Sequence, residues 1–135
     1  MANYCLHSVQ LNEAYMKIKF LLLGMFFAIA GFSQSTIKFD VVTHNFGKIK
    51  KGVPKTISFT YTNAGSRPAV IEFATAECGC ASPEYNQAPL LNGKKATIKV
   101  TYNAEALGVF KKRVSVKFAG EKEVTQLVIE GEVVK

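Results

Sequence analysis

Residues 55–63, Lys-Thr-Ile-Ser-Phe-Thr-Tyr-Thr-Asn, alternate strictly between apolar and polar side chains and decide the fold class. Ile57, Phe59 and Tyr61 fall on one face of an extended chain, and serine and threonines fall on the other. A period of two built from β-branched and aromatic residues is typical of an antiparallel strand that is buried on one face only. Turn-forming residues bound the segment on both sides, at 51–54 and 64–68. The stretch therefore predicts a half-buried strand of an all-β domain.

The same pattern recurs on both sides of this strand. Ile71 and Phe73 are expected in the core, whereas Lys112 interrupts an apolar face and is expected near a strand end, where its ammonium stays in water. Residues 82–91 read as irregular, and Asn92-Gly93 predicts a tight turn. The pattern predicts an immunoglobulin-like β-sandwich of about seven antiparallel strands. The further predicted strands cover residues 36–42, 69–74, 96–102, 110–118 and 124–134.

The first 33 residues read as an export signal rather than as part of the fold. A basic segment begins at Met16, an apolar run follows from Phe20 to Phe32, and Gly31 and Ser33 are small residues placed for cleavage after Ser33. The run is shorter than the roughly 20 residues that span a bilayer, and a buried core helix is the competing reading. The sequence predicts a signal peptide helix over residues 1–33, with translation starting at Met1 or at Met16. The domain of residues 34–135 is then exported to the periplasm or further.

Charge and composition exclude one class of partner. The chain of 135 residues suits one domain and carries a formal charge of +7, with lysines scattered through the predicted strands and turns. Lys48, Lys50 and Lys51 form a tight cluster, and no aromatic-rich basic patch accompanies it. A nucleic-acid partner is therefore not expected, and the charge favours solubility.

The segment 75–83, Thr-Ala-Glu-Cys-Gly-Cys-Ala-Ser-Pro, departs from ordinary sandwich sequence. Cys78 and Cys80 allow four readings: a disulfide across Gly79, a site for a soft metal such as Cu(I), a reduced structural pair, or pairing with a partner protein. A disulfide that closes so small a loop contributes little stability and is easily reduced. A metal site would need ligands besides the two cysteines, and His44 is a candidate for one of them. The residues alone leave these alternatives open.

Catalytic chemistry is not expected. A Ser-His-Asp arrangement would have to use Asp40 and His44, four residues apart, and no glycine-rich phosphate loop or cofactor motif is present. His44 is expected to be structural, with a ring nitrogen bonded to a loop carbonyl. Tyr61 and Tyr102 are expected in the core or an interface. Four further residues have no expected functional role. Asn63 and Gly65 are expected to form a turn, and Glu130 and Glu132 are expected to face solvent.

An ordered set of motifs resembles the bacterial domain-of-unknown-function family 1573 (DUF1573). The resemblance spans residues 44–131 and implies a secreted immunoglobulin-like sandwich, similar to the ASPM–SPD-2–Hydin and major sperm protein group, but implies no activity. Asn45 and Ala81 depart from the usual pattern of the family, which often has Asp and Thr there. The motifs are residues 44–49 with Gly52, 59–65, 77–81, 98–102 and 127–131.

The sequence thus predicts a secreted binding or structural module, with no cofactor and with another protein or a cell-envelope component as its partner. Candidate contact surfaces are an edge strand and the segment from Cys78 to Leu91. The alternative is a periplasmic Cu(I)-binding or thiol-redox protein that acts through Cys78 and Cys80. Membrane contact is expected only through the signal peptide before cleavage.

Overall fold

The computed structural model describes residues 36–135, so the predicted signal peptide lies outside the described residues. This part of the chain is all β and has no helix long and apolar enough to span a bilayer. It forms two four-stranded sheets, sheet I in the order β1-β3-β6-β5 and sheet II in the order β2-β8-β7-β4. The strands are β1 Ile37–Phe39, β2 Thr43–Lys50, β3 Lys55–Asn63, β4 Ile71–Ala76, β5 Ala81–Tyr85, β6 Lys95–Tyr102, β7 Gly108–Phe118 and β8 Val124–Val134.

The core lies between the two sheets and is built from the alternating residues that the sequence pattern singled out. Phe59 and Ile98 from sheet I, and Leu127 and Ile129 from sheet II, are completely buried. Aromatic clusters close the two ends of this core. One joins Phe39, Tyr61 and Phe118, and the other joins Phe46, Tyr102 and Phe110, with the Tyr102 and Phe110 rings stacked at 4.0 Å.

The prediction of an all-β sandwich of about seven strands agrees with the eight strands that residues 36–135 form, but the expectation that all strands pair antiparallel is wrong. β2 pairs with β8 in parallel. The predicted strand over residues 36–42 is only Ile37–Phe39; the chain then crosses to the other sheet, where residues 43–50 form β2. β2 escaped prediction because its ladder is broken between Asn45 and Lys48, which interrupts the alternation.

Three further expectations fail for local reasons. Phe73 is 39% exposed rather than in the core, because the register of β4 shifts between Ile71 and Phe73 and turns Phe73 outward. Lys112 lies within β7, not near its end, and is half-buried. Residues 82–91 are not wholly irregular, since β5 pairs with β6 despite Pro83; β5 is an edge strand, where proline is tolerated.

Candidate functional site

The Cys-Gly-Cys segment is a turn that connects β4 of sheet II to β5 of sheet I. Cys78 and Cys80 are joined by a disulfide, with their Cα atoms 5.2 Å apart. The bridge lies between the end of β4 in sheet II and the start of β5 in sheet I. Both cysteines are half-buried and pack against the apolar core, while Gly79 between them is exposed.

Backbone hydrogen bonds hold this turn on both sides. The Glu77 N–H donates to the Arg113 carbonyl at 3.0 Å, which anchors the turn to β7. The Asn103 N–H donates to the Cys80 carbonyl at 3.0 Å, which anchors the other side to the loop after β6. Backbone hydrogen bonds therefore hold both sides of the turn in addition to the sulfur–sulfur bond.

Lys112 is the charged residue on the inward-facing positions of β7. Its neighbours on that face, Phe110 and Val114, are buried, and the β7–β8 register is unbroken through it. The β4–β7 ladder ends at the pair Ala76–Val114, and the Glu77 N–H still donates to the Arg113 carbonyl. Lys112 is the residue of β7 just before Arg113, so it lies beside the turn that carries Cys78. Within residues 36–135 the Lys112 side chain makes no ion pair or hydrogen bond.

The structure does not assemble the metal or catalytic sets considered from the sequence. Among residues 36–135 no group of three His, Cys, Asp or Glu side chains could hold a metal ion, and bridged sulfurs are not thiolate ligands. Asp40 faces Lys95 at 3.7 Å, whereas the His44 ring packs edge-on against Phe46 at 4.7 Å. The hydrogen bond expected from His44 to a loop carbonyl is absent from the described contacts, so that expectation is wrong.

Asn63 has a larger role than the turn residue expected from the sequence. It is 1% exposed, and its Nδ2 donates to the carbonyls of Arg67 and Leu90, each at 2.8 Å. Its Oδ1 accepts from the Gly65 N–H at 2.9 Å. One amide thus ties together two loops at the end of the sandwich opposite the disulfide. No pattern in the sequence pointed to the contact with Leu90, which is 27 residues away.

The outer face of sheet II carries a shallow apolar depression beside the β4 edge. Phe73 is 39% exposed and Val124 40% exposed, and both line a depression of about 490 Å³ with Thr75, Ser115 and Gln126. β4 is the edge strand of this sheet, so one side of its backbone has no strand partner within the described domain. Another depression lies over Gly131, where Glu130 is paired with Lys111 at 3.2 Å.

Tyr61 and Tyr102 were expected either in the core or in an interface, and the structure places both in the core. Each is 3% exposed. Burial raises the pKa of both phenols above its usual value, because a buried phenolate loses its hydration.

These features define an immunoglobulin-like β-sandwich with strands at its edges and a disulfide turn at one end. The model of the family described as "Protein of unknown function (DUF1573)" matches residues 37–133. The chain therefore belongs to the DUF1573 family. No curated protein sequence matches it significantly.

Solved structures share the fold at low sequence identity. The ASH/PapD-like domain 7 of human CEP192 is 10% identical with a TM-score of 0.58, over 74% of this chain and 86% of that one. WR4, a major sperm protein family member from C. elegans, is 8% identical with a TM-score of 0.52, over 75% of this chain and all of that one. These neighbours confirm the resemblance to the ASPM–SPD-2–Hydin and major sperm protein group.

A protease is also among the structural neighbours. The VesB protease of Vibrio cholerae is 18% identical with a TM-score of 0.58, and the match covers 73% of this chain but only 32% of VesB. The chain thus spans about a third of that enzyme's length. At this identity the likeness shows the fold alone, and neither the family nor the fold shows an enzymatic activity.

Proposed function

We propose that this chain is an exported binding module that holds an extended segment of a cell-envelope protein along the β4 edge. The observation that carries the proposal is the exposed pair Phe73 and Val124 beside an edge strand. A segment added to such an edge gains main-chain hydrogen bonds, and its alternate side chains reach the neighbouring apolar surface. The fold shared with PapD-like and major sperm protein domains supports a binding or structural role.

The contact is tested by placing a photo-crosslinking residue at position 73 of the full chain, with position 60 as the matched control. Thr60 lies on β3, where the alternation turns it to the outer face of sheet I, away from β4. We expect a cell-envelope protein to be crosslinked from position 73 and not from position 60. Once that protein is purified, Phe73→Lys should raise its Kd more than tenfold, because burying an unpaired ammonium costs several times RT.

Thr60→Lys is the control for surface charge and should leave the Kd unchanged. An equal Kd for wild type and Phe73→Lys would exclude the β4 edge as the binding surface. Equal crosslinking from positions 73 and 60 would do the same, since it would indicate non-specific contact.

Export is tested independently by the intact mass of the protein taken from the cell envelope. A chain that begins near Gln34 is the expected result, because cleavage after Ser33 removes the predicted signal peptide. A chain that retains Met1 or Met16 would contradict export by this route.

A further inference from the structure

We propose that the Cys78–Cys80 bridge is a thiol–disulfide exchange site that accepts electrons from a cysteine pair of a partner protein, with the Lys112 ammonium favouring release of the Cys78 thiolate. This activity does not depend on the β4 contact surface. It gives a role to the Cys-Gly-Cys motif and to Lys112, the inward-facing charge of β7, which a binding module leaves unexplained.

The first support is that the fold does not need the bridge. A disulfide stabilises mainly by closing a loop in the unfolded chain, and that effect is small for residues only two positions apart. Backbone bonds from Glu77 to Arg113 and from Asn103 to Cys80 already hold both sides of the turn. The bridge can therefore open while β4 and β5 remain in their sheets.

The second support is access. Gly79 is exposed, and a side-chain carbon added to it would meet no atom within 4 Å. Both cysteines are only half-buried. A partner thiolate can approach a turn of this kind without displacing a neighbouring element, whereas structural bridges are typically shielded in the core.

The third support is the charge beside the bridge. Lys112 lies on β7 beside the turn, just beyond the last β4–β7 pair, and is half-buried and without an ionic partner in residues 36–135. An ammonium next to a sulfur stabilises the thiolate and so makes it a better leaving group. The exposed Arg113 is a second cation on the same strand. The carboxylates nearest in the chain are Glu77, one residue before Cys78, and Glu84, four residues after Cys80, and both are exposed.

The reaction transfers two electrons in two steps. A thiolate of the partner attacks the Cys80 sulfur, a mixed disulfide forms, the Cys78–Cys80 bond breaks, and its electron pair leaves on the Cys78 sulfur. The second partner thiolate then attacks the partner's own sulfur in the mixed disulfide and releases Cys80. The partner's two thiols become a disulfide, and their two protons end on Cys78 and Cys80.

The test uses the full chain with a short dithiol peptide as the probe. Thiols are trapped by alkylation at timed intervals, and the tryptic peptide that carries Cys78 and Cys80 is weighed; Cys5 lies on a separate tryptic peptide. We expect one peptide disulfide to form for each bridge opened, with the β-sheet circular dichroism unchanged. Phe73→Lys should react at the wild-type rate, which separates this proposal from the binding proposal.

Variants of Lys112 test the role of the charge. Lys112→Met should slow bridge opening about fivefold at low salt, with a smaller difference at high salt, because a single nearby charge is removed. Lys112→Arg should restore the rate to within about twofold of wild type. Lys99→Met, on the exposed face of β6, is the matched control and should leave the rate unchanged.

Two results would overturn the proposal. If the bridge opens only under conditions that also unfold the sheets, it is a structural link and not an exchange site. If Lys112→Met reacts as fast as wild type at low salt, Lys112 has no part in releasing the thiolate.

Discussion

Single side chains decide how the loops of this sandwich are held, and Asn63 is the clearest case. Its buried amide bonds two partly buried carbonyls and one buried N–H. Buried backbone groups that lose a partner are costly, since they have given up their hydration on folding. A residue that reads as an ordinary turn former in the sequence is therefore a central connection in the fold.

We expect Asn63→Ala to lower the free energy of unfolding by about 2 kcal/mol, because the buried Gly65 N–H and the Arg67 carbonyl lose their partner, while the Leu90 carbonyl keeps only the Ala69 N–H. Urea unfolding at neutral pH measures the change. Asn86→Ala is the matched control: its side chain accepts a bond from the Ala88 N–H at 2.8 Å in an exposed loop, so a loss below about 1 kcal/mol is expected. Equal losses in both variants would contradict the role given to Asn63.

Gly131 illustrates a second single-residue constraint. A side-chain carbon on it would lie 2.8 Å from the Gly47 carbonyl oxygen and 3.0 Å from the Phe110 ring. We expect Gly131→Ala to cost about 2 kcal/mol, since backbone and a packed ring would both have to move. Gly79→Ala meets nothing within 4 Å and should change stability by less than about 1 kcal/mol. The same urea experiment compares them, and a neutral Gly131→Ala would refute the close approach of β2 and β8.

At the level of strands, two irregularities decide which surfaces the protein exposes. The break in β2 between Asn45 and Lys48 accompanies a left-handed Gly47, whose N–H donates to Asn45 Oδ1 at 2.7 Å. The register shift in β4 turns Phe73 to solvent. Both lie on edge strands, where such irregularities also hinder unwanted pairing.

The shift in β4 has a direct consequence for stability. Ile71 and Phe73 look equivalent in the sequence, but Ile71 is 3% exposed and Phe73 is 39% exposed. We expect Ile71→Ala to cost about 3 kcal/mol of unfolding free energy, and Phe73→Ala less than about 1 kcal/mol. Thermal or urea unfolding of the two variants separates them, and a larger loss for Phe73→Ala would place Phe73 in the core after all.

For the whole domain, stability at high pH depends on its two buried tyrosines. The pKa of each is raised by burial, so the unfolded chain loses these protons first as the pH rises through about 10. Stability is therefore unaffected by these groups below that pH and falls above it. The stacked Tyr102 ring and the edge-on Tyr61 ring contribute apolar contacts that phenylalanine can keep.

We expect Tyr61→Phe/Tyr102→Phe to lose less stability than wild type between pH 9 and 11, measured as the urea midpoint at each pH. The comparison with wild type removes the contribution of lysines, which titrate in the same range. Parallel curves for the two proteins would show that burial does not raise the pKa of these phenols.

Much of the architecture follows from the sequence alone. A period of two is visible wherever a strand is buried on one face, so β3, β6, β7 and β8 and their core residues were predictable. The ordered motifs were also sufficient to indicate the DUF1573 family, which the match over residues 37–133 confirms. Local composition carries this information because side-chain alternation and turn chemistry are properties of short segments.

Tertiary structure alone decided the rest. The parallel pairing of β2 with β8, the exposure of Phe73 and the contacts of Asn63 all depend on residues far apart in the chain. The candidate exchange site has the same origin. The sequence shows Cys78 and Lys112 as two separate anomalies, and only the pairing of β4 with β7 brings the turn of Cys78 beside the strand of Lys112, because long-range pairing, not local pattern, determines which segments meet.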